Sequence, residues 1–242
     1  MSIKNTLRRG TPESIKQVIR PIRNLFRHFI SKYDSELSFW KSTLDGHGRF
    51  HNDHYERLML GIAGESNDSF LKGKIVADFG CGPAGSLVWA KSALLRIGID
   101  VLADQYADAF SDNIVSHETI YLKSTEKVIP LPSGFLDVMF TVNAMDHVDN
   151  FSNMCREVLR VLKPGGEFIG SFNLEEPPTP SEPQRLTPKI IEENLIQHLE
   201  VQSCRIGQQG PEENSYAPFF DGNLSYKPGE TGFLWVRGRK KI

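Results

Sequence analysis

The 242-residue sequence predicts an open α/β fold, a mostly parallel Rossmann-like sheet with helices on both faces. Three observations carry that expectation. From residue 74 onward, short apolar runs alternate with segments of helical period. The first apolar run ends in a glycine-rich turn, and the last of the alternating helices is stopped by Lys163-Pro164-Gly165-Gly166 just before another apolar run. Apolar strands separated by helices imply a sheet covered on both sides.

In chain order, residues 11–33 read as a helix in two pieces. Thr11 is its N-cap and Pro12 suits the first helical position. Ile15, Val18, Ile19, Ile22, Leu25, Phe26, Phe29 and Ile30 form one stripe. Pro21 lacks a backbone donor and crowds the turn before it, so the helix kinks or restarts there. A polar and aromatic stretch over 36–64 contains Phe39, Trp40 and three histidines, His47, His51 and His54. Strands are predicted over 74–79, 97–101, 119–122, 136–142 and 167–172, with helices over 87–95, 103–112 and 152–162. A Pro-rich segment over 175–183 precedes a helix over 188–199 capped by Thr187. Residues 201–206 and 231–237 read as two further strands. No internal repeat is present.

Composition narrows the function classes. Hydrophobic residues make up 39% and charged residues 24%, which excludes a largely disordered chain. No apolar run approaches the roughly 18 residues of a membrane span, and no apolar segment follows the N-terminal basic residues as a secretory signal would require. Cys81, Cys155 and Cys204 include no CxxC, so neither a disulfide framework nor a zinc ribbon is expected, and the expected compartment is a reducing cytoplasm. His47, His51 and His54 could share a helix face, but Gly46 and Gly48 break that helix and no metal site is expected.

The formal charge of −2 is unevenly spread. Residues 1–32 carry eight Lys and Arg residues against Glu13 alone, which leaves the remainder of the chain acidic. An acidic body does not suit nucleic acid, whereas the basic arm suits an anionic contact. Lys16, Arg20, Arg23 and Arg27 flank the apolar stripe of residues 11–33, the makeup of a helix lying on an anionic membrane; the competing expectation packs the stripe on the body.

The strongest local feature is Asp78-Phe79-Gly80-Cys81-Gly82-Pro83-Ala84-Gly85, between the first strand and the first helix. Glycine allows a sharp strand-to-helix turn and close approach of a ligand to the backbone. Gly80, Gly82 and Gly85 also satisfy the dinucleotide fingerprint, with Asp100 in the ribose-binding position, so an NAD-dependent oxidoreductase is one reading. Asp78 argues against it, because a carboxylate facing a pyrophosphate is repelled while one facing an ammonium group is attracted.

Two later blocks complete the pattern: Ile129-Pro-Leu-Pro-Ser-Gly-Phe-Leu-Asp137-Val leading into the fourth strand, and Arg160-Val-Leu-Lys-Pro-Gly-Gly166 leading into the fifth. In order and spacing the blocks resemble the class I S-adenosylmethionine-dependent methyltransferases, in their small-molecule, type 11-like group, over residues 70–173. Ala84 departs from the glycine that many members carry. The resemblance implies a seven-stranded sheet whose last strand is antiparallel. It also implies S-adenosyl-L-methionine as cofactor, an N-terminal helix and lid region over 1–64, and a methyltransferase domain over 65–242. Carried over position by position, Asp78, Gly80, Cys81 and Gly82 surround the methionine part, and Asp100 with Val101 serves the ribose and the adenine edge. Ser124 or Thr125 stands where an acidic residue usually meets the adenine amino group, and Asn143 faces the methyl.

Methyl transfer depends mainly on orienting the acceptor and excluding water. A hydroxyl acceptor also needs a general base. Asp146 and His147, after the fourth strand at the edge where open α/β sheets bind ligands, are the candidates. The expected reaction is methylation of a small-molecule or glycan-like acceptor on oxygen. A catalytically silent cofactor-binding or membrane-scaffold protein is the alternative from another class.

Overall fold

The computed structural model describes residues 32–211 and 214–242, so the predicted helix over 11–33 lies outside the described residues except for its last two positions. A seven-stranded sheet forms the centre, in the order β3-β2-β1-β4-β5-β7-β6. Its strands are β1 (Ile75–Phe79), β2 (Leu95–Asp100), β3 (Ile120–Lys123), β4 (Leu136–Val142), β5 (Leu162–Leu174), β6 (Leu199–Gln208) and β7 (Gly232–Lys240). β1 to β5 pair in parallel, and β7 inserts antiparallel between β5 and β6. The expected sheet, with one antiparallel strand made by the end of the sequence, is present.

Helices cover both faces. On one, α5 (Phe151–Val161) and α6 (Pro188–Asn194) bury Phe151, Met154, Val158 and Ile191 against Ala77, Met139 and Phe168 of the strands. On the other, α2 (Asp53–Ala63) sets Leu58, Met59, Ile62 and Ala63 against Val76, Phe140 and Trp235. A smaller cluster joins α1 (Lys32–Thr43) to α3 (Ala103–Ala109) and α4 (Ser111–Ser116), through Trp40 and Phe50 packed on Leu102, Tyr106 and Phe110.

Three predicted helices are corrected. The helix predicted over 87–95 is absent: residues 87–94 run through turns and bends, and β2 begins at Leu95. The carbonyls of Leu87 and Val88, which a helix would use, accept from the Arg96 guanidinium at 3.5 and 3.1 Å. The Ser92 amide is likewise captured, by Asp68 at 2.7 Å. The helix predicted over 103–112 is split at Phe110, which leaves helical geometry so that its ring can bury beside Tyr106 and meet Phe50 edge-on at 5.1 Å. The helix over 188–199 starts at Pro188 behind the Thr187 cap but stops at Asn194, where the fully buried Leu195 turns the chain into a short 3-10 segment. Lys163-Pro-Gly-Gly is a bulge at the head of β5: Leu136 pairs with Leu162, and two residues later Val138 pairs with Glu167.

Candidate active site

Parallel strands deliver their ends to one edge. Phe79 of β1 lies beside Ile99 of β2 and Thr141 of β4, so the loops that follow these strands meet in one place. The turn after β1 is tied to β2 by the Gly80 amide, which donates to the Ile99 carbonyl at 2.8 Å. Gly80 and Gly82 have φ of +73° and +57°, and neither has room for a side chain. A Cβ on Gly80 would lie 2.1 Å from the Ala144 methyl, and one on Gly82 would lie 2.4 Å from the Trp40 indole. Only glycine fits this geometry.

Over that edge lies a cavity of about 560 Å³, inside the range of roughly 300–1,000 Å³ usual for small-molecule sites. Of the residues proposed from sequence, Asp78, Gly80, Gly82, Asp100, Val101, Ser124, Thr125, Asn143 and His147 line it. Cys81 and Asp146 do not. The Cys81 sulfur lies under the loop against Gly98 of β2, where burial pushes its thiol well up. Asp146 is buried behind the wall, where its Oδ2 accepts from Asn173 at 3.0 Å and burial raises its carboxyl above the usual range. His147 reaches the cavity, with Nε2 3.7 Å from Glu182 of the Pro-rich segment, itself a lining residue.

The two buried carboxylates differ. Asp100 is fixed by backbone amides, Oδ2 accepting from Gly82 at 3.0 Å and Oδ1 from Leu102 at 2.9 Å. Asp78 accepts from the Ser86 hydroxyl through Oδ2 at 2.5 Å, and its buried Oδ1 has no partner. Burial raises both carboxyls, Asp78 to about 7 and Asp100 to about 6, with the amides holding Asp100 lower. An orphaned buried carboxylate oxygen on a cavity wall is a seat for a cation.

Ser124 hangs from β2 by its amide, which donates to the Asp100 carbonyl at 3.0 Å. The Thr125 hydroxyl is used inside its own turn, accepting from the amides of Lys127 and Val128. Neighbouring Glu126 carries the strong contacts at this end: Lys32 at 2.5 Å, the Tyr33 hydroxyl at 2.8 Å and the Asp149 amide at 3.1 Å. Lys32 also reaches Asp149 at 2.7 Å, and these two carboxylates outweigh burial to raise its pKa. α1 is thereby fastened across the mouth, with Trp40 against Gly82.

Tyr55, at the end of the lid expected from the sequence, also lines the cavity, and sequence reasoning missed Glu36 and Tyr216, which line it too. Tyr55 comes from α2, and Tyr216 from the loop between β6 and β7. Asn143, at φ +47°, accepts from the Ser171 hydroxyl through Oδ1 at 2.7 Å and donates from Nδ2 to the Tyr216 oxygen. The only available signal was an aromatic residue in a long polar loop. Among the described residues no cluster of His, Cys, Asp and Glu is arranged to hold a metal, and no helix is long and apolar enough to cross a membrane.

Residues 77–170 match a family model described as a methyltransferase domain. The malonyl-[acyl-carrier protein] O-methyltransferase of Enterobacter lignolyticus is 30% identical over 92 residues, covering 38% of this chain and 36% of its own. The ubiquinone/menaquinone biosynthesis C-methyltransferase UbiE of Stutzerimonas stutzeri is 25% identical over 172 residues, covering 66% of this chain and 60% of its own. Each match thus spans less than two thirds of the relative's length. A crystal structure of an S-adenosylmethionine-dependent methyltransferase from Mesorhizobium loti superimposes with a TM-score of 0.54 at 17% identity, covering 70% of this chain and 92% of that one, a likeness of fold.

Proposed function

Residues 77–170 are a class I, type 11-like methyltransferase domain, and on that premise we propose that the chain transfers a methyl group from S-adenosyl-L-methionine to a small-molecule or glycan-like acceptor, on oxygen. One observation carries the cofactor assignment: the partnerless, buried Oδ1 of Asp78 beside a turn that only glycine can make. An α-ammonium group satisfies that oxygen, and the glycines let the amino-acid part lie against the backbone. A dinucleotide fits less well. Its pyrophosphate needs the N-terminus of a helix directly after the turn, and residues 82–89 are turns instead.

When bound, the cofactor supplies a methyl already activated on a sulfonium. The protein supplies orientation and dryness. Each Asp100 oxygen keeps a further lone pair beyond its amide bond and offers it to ribose hydroxyls. Val101 and Ser124, which line the cavity next to Asp100, would hold the adenine, with Thr125 and Glu126 at the same end. His147 is the member of the Asp146–His147 pair that faces the cavity, and it serves as general base for a hydroxyl acceptor. Asp146 adds negative charge behind it. Oxygen as the acceptor atom is supported by the malonyl relative, an O-methyltransferase, whereas UbiE, a C-methyltransferase, favours carbon as a second reading. The acidic body supports an acceptor other than nucleic acid. The arm over 11–33 supports peripheral contact with an anionic membrane at the cytoplasmic face, tested by vesicle co-sedimentation with and without residues 1–31.

Calorimetry with S-adenosylhomocysteine and with NAD tests the cofactor assignment. Binding of the first and not the second is expected, and the reverse overturns it. Radiolabelled methyl transfer to a panel of hydroxyl, carbon, amine and thiol acceptors then identifies the atom.

A further inference from the structure

We propose that the phenol of Tyr216 is a hydrogen-bond donor to an oxygen of the methyl acceptor, so that the acceptor class is one whose reacting oxygen, or the oxygen conjugated to its reacting carbon, carries negative charge. The proposal rests on the methyltransferase reading above. Its ground is the polarity of a three-residue chain. Ser171 is fully buried on β5, and its hydroxyl donates to Asn143 Oδ1 at 2.7 Å. In the orientation the amide takes in the structure, Oδ1 faces Ser171 and Nδ2 faces Tyr216 and donates to its oxygen. A phenol oxygen that already accepts keeps its own O–H to give away. Tyr216 lines the cavity beside Asn143, which follows β4, and among the described residues its O–H donates to no protein acceptor.

The ring is held as firmly as the hydroxyl. It packs on Phe233 at 4.7 Å and on Trp235 at 5.8 Å, both in β7. A donor held in this way acts before the methyl moves: it lowers the acceptor's pKa and raises the fraction present as the oxyanion, a gain for acceptors whose pKa lies above the working pH, and the charge is then consumed as the new bond forms. It does not suit an amine, whose lone pair it would occupy. Burial also holds the phenol protonated, with its pKa pushed up to about 12 despite the Asn143 bond, so Tyr216 acts as a donor and His147 remains the base. Tyr216 forms and breaks no covalent bond. The acceptor proton leaves to His147 or to water before transfer.

The experiment uses the full chain, substituted phenols and 1,3-dicarbonyl compounds as oxyanion probes, and aliphatic amines and thiols as controls. S-Adenosylhomocysteine calorimetry is run on every variant. The expected result is methylation of oxyanion probes. In Tyr216→Phe, kcat/KM should fall by about tenfold to a hundredfold, with the homocysteine analogue bound as in the wild type. The loss should grow as the probe oxygen becomes more basic, which a merely structural defect would not produce. Ser171→Ala, which frees the Asn143 amide to turn over, should show a smaller loss with the same dependence on probe basicity. Tyr216→Phe turning over oxyanion probes at the wild-type rate overturns the proposal. So does methylation confined to amines or thiols, or no turnover of any oxyanion probe by a chain that binds S-adenosylhomocysteine. Absence of S-adenosylhomocysteine binding overturns the underlying reading instead, and the two failures are thereby separate.

Discussion

The two walls of the cavity are built differently. On the proposed reading, the wall assigned to the cofactor centres on strand ends and loops within residues 78–102, joined by Ser124, Thr125 and Asn143, and its carboxylate Asp100 is held by the backbone amides of Gly82 and Leu102. The acceptor wall draws on side chains from α1, α2, the loop after β4, the Pro-rich segment and the loop after β6, so Tyr55, His147, Glu182 and Tyr216 meet across more than 160 residues of sequence. A wall made by one local turn can be preserved while the other is exchanged piece by piece. On that reading, cofactor binding and choice of acceptor are expected to be separable by mutation.

That separation can be broken by mutation. The largest effect is expected at His147. His147→Ala should lower turnover roughly 10²–10⁴-fold while S-adenosylhomocysteine affinity stays near the wild-type value. A parallel loss of affinity would show that the two walls are one unit. On the opposite wall, Asp100→Ala should leave the fold intact and weaken the same ligand about tenfold to a hundredfold, with turnover at saturating cofactor nearly unchanged. Unaltered affinity in a folded Asp100→Ala chain would remove Asp100 from the cofactor wall.

A smaller, pH-dependent effect separates the two buried carboxylates. The folded pKa of Asp78, about 7, lies above its ordinary unfolded value. The folded ligand-free chain therefore binds the extra proton between about pH 4 and 7, and Asp78 makes it less stable as pH rises through that window, by up to about 4 kcal/mol. A ligand ammonium reverses the sign, because it favours the carboxylate. Affinity for S-adenosylhomocysteine should then rise from pH 6 to 8 by about a few-fold to tenfold in the wild type and by no more than about twofold, the share left to Asp100, in Asp78→Asn. Matching titrations compare the two chains, and identical pH profiles would exclude Asp78 as the ammonium partner.

The same division explains what could be read from the sequence. The glycine turn, the strands it joins and Asp100 were legible because each depends on neighbours within a few residues or on a fixed spacing along one β-turn-β unit. Residues 87–95 misled because Leu87, Trp89, Ala90 and Leu94 repeat at helical spacing, while Arg96 and Asp68 capture the backbone groups a helix would need. That competition is decided by tertiary contacts. Asn143 was legible from its position after β4, but its partners Ser171 and Tyr216 lie 28 and 73 residues away, and no local pattern marks either. Cys81 was included because it sits inside the glycine motif. Its side chain instead follows the pleat away from the cavity and against β2.

The insertion of β7 between β5 and β6 has a consequence for biosynthesis. A chain emerging from the ribosome completes β1 to β5 in order, yet residues 162–174 keep an open, apolar edge until residues 232–240 have also appeared. β6 precedes β7 in the chain but, among the described residues, pairs with no strand other than β7. Pairing of β7 thus closes the exposed edge and brings Ser171 and the Trp235 ring under Tyr216 together, since Ser171 pairs with Trp235. A nascent chain arrested before it would present an unpaired strand to its neighbours, the kind of edge that aggregates.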